Sequence, residues 1–246
     1  IQPLSSQTGD WQTGRTESGQ LSGSAWNLAR GATADLLDRW KAFPALASFA
    51  TVFSGTGTRA DSLFQMERDG NRYYSRSLNE WVEIETELMK PSLTGRDIDP
   101  YQFETSNFLL FPYRLTESEA RLIPAQEMAS RFPNAWAYFN HPTNRKTLEN
   151  RDKGKYKHRD DWYSFSYPRN MHLLPLPKIV LPDVAGRAEF AWDAEGRYII
   201  DTVYGIRLND DSRLSLPALA ALLNSRVMTF FLQQTGTNLR GGYFRM

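Results

Sequence analysis

The sequence predicts an α+β fold, a mixed sheet platform with packed helices. Two observations carry this. Apolar residues alternate in short runs in some stretches and recur at helical spacing in others, and the two kinds of stretch arrive in blocks rather than in strict strand–helix alternation. The size agrees: 246 residues, 41% of them hydrophobic and 13% aromatic, are enough for one large domain or two small ones.

The elements follow in order. Residues 1–24 are rich in Ser, Thr, Gly and Gln and read as a flexible linker or arm. Residues 25–49 read as a connecting helix: Trp26, Ala29, Leu36, Leu37, Trp40 and Phe43 recur at helical spacing, Ser24 is placed to cap it, and Pro44 marks its end. Residues 50–246 form the main domain. In it FATVF, RYYS and NFLLFPY read as strands, with a turn at Asp69-Gly70. Thr116 and Glu119 have capping-box spacing, so a helix is expected to begin there and to run in pieces to about Arg151, broken near Pro124, Pro133 and Pro142. PKIVLPDV, AEFAWDAEGRYIID and VYGIRL read as strands, with a hairpin at Ala194-Glu195-Gly196. LPALAALLNSRVMTFFLQ reads as one helix. Expected packing residues are Trp136, Tyr138, Phe139, Leu148, Ile179, Val180, Leu222, Leu223 and Phe230, and Asn224 is expected to cap or bond locally. There is no internal repeat.

Composition excludes several classes. With no Cys there are no disulfides, thiolate nucleophiles or Cys-bound zinc, and His141, His158 and His172 are too scattered for a metal pair. No apolar run approaches the roughly 18 residues of a membrane span, and the first residues lack the basic start and apolar core of a signal peptide; a cytoplasmic setting is expected. The chain starts without Met and reads as part of a longer polypeptide. FSGTG, residues 53–57, is the sharpest apparent motif, since Gly-rich turns after strands can cradle phosphates or nucleoside cofactors. It lacks the Lys-Ser/Thr of a P-loop, and the chain has no Pro-Pro pair of a methyltransferase catalytic motif, so a plain glycine turn is the favoured account. The acids of EIETE would share one face of a strand, a solvated one, and no Ser–His or paired-carboxylate arrangement argues for catalysis.

The uneven charge is more informative. Between Asn144 and Asn170 stand eight Lys and Arg against four Asp and Glu, a local +4 in a chain of net +1. Cations at this density neutralise phosphates, and Arg, Asn and Gln among them can read base edges. A solvated loop over an aromatic core edge is the competing account, and Trp162, Tyr163, Phe165 and Tyr167 read more readily as core than as base-stacking residues.

Eight segments in order carry a family resemblance: FSGTGTRADSLF, LMKPSLTGRDI, SNFLLFPYRL, FPNAWAYFNHPTNRKTLENR, DWYSFSYPRN, PKIVLPDV, ALLNSRVMTFFL and GTNLRGGYFRM. This order resembles the C-terminal target-recognition domain of TaqI-like N6-adenine DNA methyltransferases, including fused type IIG restriction–modification enzymes and phage-defence methylases. It covers about Ala50 to Met246.

The resemblance implies a target-recognition-domain-like fold, double-stranded DNA as partner, and no catalytic residues here. S-adenosylmethionine and the adenine chemistry would belong to an N-terminal methyltransferase domain of the same polypeptide, so no cofactor is expected in this part. The family segment continues past the Arg-Gly-Gly element, so the chain is expected to stop short of the family's C-terminal boundary. The expected DNA contacts are Arg145, Lys146, Arg151, Lys153, Lys155, Lys157 and Arg159 on phosphates, with Tyr156, His158 and Asn170 near base edges. Thr58, Arg59, Lys90 and Arg96 form a second tier, in which Lys90 is equally a surface lysine and Arg96 equally a partner of Asp97. The alternative is a protein-interaction module rich in aromatic and Arg hot-spot residues.

Overall fold

A computed structural model describes residues 32–245. The chain divides into two compact units, residues 1–45 and 46–246. Of the first, the described part is helix α1, Ala32–Trp40; the arm expected at residues 1–24 and the start of the connecting helix lie outside the described residues.

The second unit is built on two main sheets, as the α+β prediction requires. The larger has six strands in the order Tyr198–Ile199, Met89–Leu93, Asn107–Leu110, Gln65–Asp69, Arg72–Ser75 and Glu80–Val82. It is mixed, because Tyr198–Ile199 runs parallel to its neighbour while the other pairs are antiparallel. The smaller has four antiparallel strands in the order Ala50–Ser54, Val203–Leu208, Lys178–Pro182 and Ala191–Asp193.

The strand Lys178–Pro182 is buried along its whole length and separates two cores. Successive side chains point to opposite faces: Val180 enters the larger core, and Ile179 and Leu181 enter the smaller one. Helix α2, Asp61–Phe64, buries Leu63 and Phe64 in the larger core. The same core takes residues from α3, Ala125–Arg131, α4, Pro133–Asn140, and α5, Pro142–Gly154. The smaller is closed by α6, Leu216–Leu223, and α7, Arg226–Thr235.

Several expectations are corrected. The Thr116–Glu119 signal starts a turn, not a helix: Thr116 Oγ1 accepts from Glu119 N at 3.1 Å, but the chain then doubles back and pairs Ala120–Leu122 with Tyr113–Leu115. Side-chain capping chemistry serves a tight turn as readily as a helix start. The helices begin at Ala125, and Pro133 and Pro142 start the next two, at the position where a missing N–H costs nothing.

The expected hairpin at Ala194-Glu195-Gly196 is instead a crossover between sheets, since Ala191–Asp193 pairs with Lys178–Val180 and Tyr198–Ile199 pairs with Ser92–Leu93. The buried Asp193 carboxylate holds this turn, accepting from the backbone N–H of Glu195, Gly196 and Arg197 and from Lys178 Nζ. Gly196 is left-handed, φ +73°, and a Cβ there would lie 2.0 Å from Pro175 O, so only glycine fits.

The helix expected as one piece from residue 216 breaks at Asn224-Ser225, where Ser225 caps α7. Leu222 is consequently 60% exposed rather than core, and Phe230 is half-buried. Asn224 does not bond only locally: its amide both accepts from Phe190 N and donates to Phe190 O, pinning the helix end to a distant strand. The other expected core residues are buried, with Trp136 half-buried. Within EIETE, Glu85 is not merely solvated, because its two oxygens accept from Asn134 N at 2.8 Å and Ala135 N at 2.9 Å, at the positive end of α4.

Candidate nucleic-acid interface

Helix α5 delivers the basic segment. Its regular turn ends before Arg151, which is extended (φ −56°, ψ 154°), and Asp152 and Lys153 follow in left-handed conformations. The break turns the Arg151 side chain inward. Its guanidinium donates to Leu148 O at 3.0 Å, Thr58 O at 2.8 Å and Trp162 O at 2.9 Å, and lies 4.5 Å from the centre of the Tyr156 ring. Burial lowers its pKa from the usual guanidinium range, an effect opposed by Tyr156 and Tyr113; a guanidinium keeps its charge there, and its rigid fork suits three converging carbonyls.

Four expected contacts are corrected. Arg151 is 6% exposed and anchors the basic loop instead of meeting a phosphate. Tyr156 is 3% exposed and forms the floor beneath the loop. Thr58 is fully buried, donates to Asp61 and accepts from Ala60 N, so it shapes the turn and cannot reach a ligand. Asn170 has a left-handed backbone, and its amide donates to Ser54 O at 3.0 Å, so that donor holds the loop rather than a base edge.

The remaining basic residues are exposed. Lys146, Lys153, Lys157 and His158 face solvent. Lys155 and Arg159 lie over the Tyr156 ring at 5.6 and 5.8 Å. Arg159 also forks onto Asp161 at 2.7 and 2.8 Å, which holds the Asp161 carboxyl below its usual pKa. Arg145 bonds Glu149 and Asn140 and sits 4.4 Å over Trp162. Such exposed pairs are worth at most about 1 kcal/mol, so a phosphate can exchange for them. Lys90 is half-buried on a strand of the six-stranded sheet, and Arg96 is exposed on the turn that follows.

The structure adds Arg169, which the expected contacts omitted, and corrects Tyr167, which was read as core. Tyr167 is 41% exposed, and Arg59 and Arg169 lie over its ring at 5.1 and 5.6 Å. A short antiparallel bridge between Gly57 and Tyr167 brings these segments together. The stretch Tyr167-Pro168-Arg169 was visible as an aromatic next to a cation, but its alignment with Arg59 is a tertiary fact. Beside them the Asp201 carboxyl is pushed up chiefly by burial and then by the charge of Asp61, against the pull of Arg59 and Arg169.

Backbone shape is fixed across this face. Among the described residues seven non-glycine residues have positive φ, and five of them are Arg59, Asp152, Lys153, His158 and Asn170. Strained conformations of this kind gather where a surface must hold one shape.

The backbone N–H groups of the last three residues of the FSGTG turn are engaged within the fold. Gly55 N, Thr56 N and Gly57 N donate to Val203 O, Ile199 O and Tyr167 O, so these three N–H groups tie the turn to neighbouring segments. Gly55 is required because a Cβ would lie 2.2 Å from Ile200 O. Among the described residues no group of three or more His, Cys, Asp or Glu could hold a metal ion, and no helix is long and apolar enough to cross a membrane.

The α+β platform thus carries a cationic loop laid over the Tyr156 ring. The family profile of the TaqI-like C-terminal specificity domain matches residues 90–246, more than half of the chain, and the chain belongs to that family. Residues 46–89 lie in the same structural unit as the matched part and share its larger core. No curated protein matches the chain.

Proposed function

We propose that this chain is the sequence-reading module of an S-adenosylmethionine-dependent adenine-N6 DNA methyltransferase, of the kind fused in type IIG restriction–modification enzymes or used in phage defence. In this reading it works in the cytoplasm, bound to double-stranded DNA and joined to an N-terminal methyltransferase domain of the same polypeptide that holds the cofactor and does the chemistry. Membership of the specificity-domain family supports the class of function. One observation carries the site: Arg151 ties the cationic loop to the Thr58 carbonyl, next to the Arg59–Tyr167–Arg169 group.

Lys146, Lys153, Lys155 and Lys157 supply sequence-independent affinity by releasing counterions from phosphates. Arg59 and Arg169, held against Tyr167, are better placed for oriented contacts, because a guanidinium backed by a ring has fewer conformations to lose. Lys90 and Arg96 do not belong to this loop and are assigned no phosphate role.

The test is selection of bound duplexes from a randomised pool at low salt, with affinity then followed against salt. A short enriched motif and a log–log salt slope near −4, about −0.9 for each of the four lysines and somewhat steeper if the arginines join, are expected. A second reading, a protein-docking module, draws on Leu222 and Val227, which are 60% and 61% exposed near the α6–α7 junction. It predicts no enriched motif and a salt-insensitive partner.

A further inference from the structure

A cleft of about 650 Å³ opens along the six-stranded sheet, lined among others by Asp61, Gln65, Glu67, Arg76, Arg96 and Asn107. Gln65 and Glu67 share one face of their strand, and Asn107 stands opposite Glu67 on the next. Gln65 is 3% exposed; its Oε1 accepts from Arg76 at 3.3 Å, but its Nε2 has no hydrogen-bond partner. Buried amide donors are nearly always satisfied; this one sits just beneath the cleft wall, on a residue that lines the cleft, so an outside acceptor would reach it once the side chain turns outward.

The rest of the lining narrows the ligand. Four carboxylates (Asp61, Glu67, Asp97, Asp183) outnumber the two guanidiniums of Arg76 and Arg96, so the cleft repels phosphate. Asp97 already accepts from Thr94 and Asn107, and Asp183 pairs with Arg245. What is left is a donor edge, Gln65 Nε2 and the exposed Arg96, and an acceptor edge, Glu67 and the Asn107 carbonyl oxygen. The cleft is too small for a duplex and falls in the size range of small-ligand sites.

We propose that this cleft holds one uncharged nucleobase that carries an amino group beside a ring or carbonyl acceptor, with the amino group toward Glu67 and the acceptor toward Gln65. Asp61 joins the cleft to the cationic face, since it also accepts the hydroxyl of Thr58, next to Arg59. A base lifted from bound nucleic acid would therefore enter from beside Arg59 while its phosphates stayed on the loop; this deepens the DNA-binding reading and, for that source of the base, rests on it.

The test follows the Gln65 side-chain amide by NMR while adenosine, cytidine, guanosine, thymidine or inorganic phosphate is added, and measures affinity for a paired duplex and for the same duplex with one bulged adenine. The amino-bearing nucleosides are expected to move the Gln65 signal; thymidine and phosphate are not. The bulged duplex is expected to bind about tenfold tighter than the paired one. Gln65→Met and Arg96→Ala are each expected to erase that gain while paired-duplex affinity stays within twofold. Gln65→Met should melt close to wild type, because it removes an unsatisfied donor along with a long 3.3 Å bond from Arg76. Bulge preference assigns the base to bound nucleic acid, and nucleoside shifts without it assign the base to a free nucleoside. A silent Gln65 signal with every nucleoside, or a Gln65→Met protein that melts lower and keeps the bulge preference, overturns the proposal. Absence of paired-duplex binding by wild type overturns the proposed function alone, because the nucleoside titration reads the cleft independently.

Discussion

The Arg151 guanidinium donates to the Thr58 carbonyl at 2.8 Å, joining positions 93 residues apart. The bond locks the end of α5 against the turn that carries Arg59, and so sets where the basic loop stands.

Replacing Arg151 therefore tests the frame rather than a contact. Arg151→Met is expected to destabilise the domain by about 2–4 kcal/mol, because three carbonyls lose their donor in the interior. Arg151→Lys should recover only part of this, since an ammonium cannot fork to three acceptors in fixed directions. Urea unfolding reads the stability. Duplex affinity should fall for all sequences alike.

Lys153, Lys155 and Lys157 make the opposite case. Each replaced singly by Ala should leave stability within about 0.5 kcal/mol and reduce the salt slope of duplex binding by about one. Arg59→Ala and Arg169→Ala should instead change which duplexes are selected. Unaltered affinity and selection across all five variants would make this face a solvated loop.

Asp201 links the face to pH. Burial raises its carboxyl pKa above the ordinary 3.8, so the folded protein takes up this proton before the unfolded chain does. The ionised group thus works against folding at neutral pH. Its contribution to stability rises as pH falls through the folded pKa and is complete below 3.8. Asp201→Asn should raise the urea midpoint at pH 7 and flatten its change toward pH 4. The same variant should bind duplex more tightly at pH 7, because Arg59 and Arg169 lose an acidic competitor.

Lys178 and Asp193 form a fully buried ion pair at 2.8 Å. Burial lowers the Lys178 pKa, with smaller help from the charges of Arg197 and Arg207, and Asp193 opposes that shift. Lys178→Met leaves a buried carboxylate without its countercharge and is expected to cost about 3–5 kcal/mol. A double-mutant cycle with Asp193→Asn should show strong coupling, with the total below the sum of the single losses. Additive losses would mean that Asp193 acts only through the three backbone N–H groups of its turn.

Periodicity made much of the fold legible. The runs at Ala50–Ser54, Arg72–Ser75, Lys178–Pro182 and Val203–Leu208 are strands because β-branched and aromatic residues dominate them. The three helices before Arg151 are delimited by prolines that a reader of the sequence can see. The failures were local signals with two meanings. Thr116 caps a turn with the spacing of a helix cap, and Gly196 turns the chain into another sheet with the residues of a hairpin. Choosing between such outcomes takes partners from elsewhere in the chain, here Tyr113–Leu115 for one and Ser92–Leu93 for the other.

The sequence by itself determined the α+β class, the family and the stretch that concentrates positive charge, because composition and spacing are properties of the chain alone. Only the tertiary structure decided that Arg151, among eight cations of that stretch, goes inside, and that Arg59 meets Arg169 across Tyr167. A guanidinium stays buried only where acceptors converge on it, and the carbonyls of Leu148, Thr58 and Trp162 converge only after distant segments have packed.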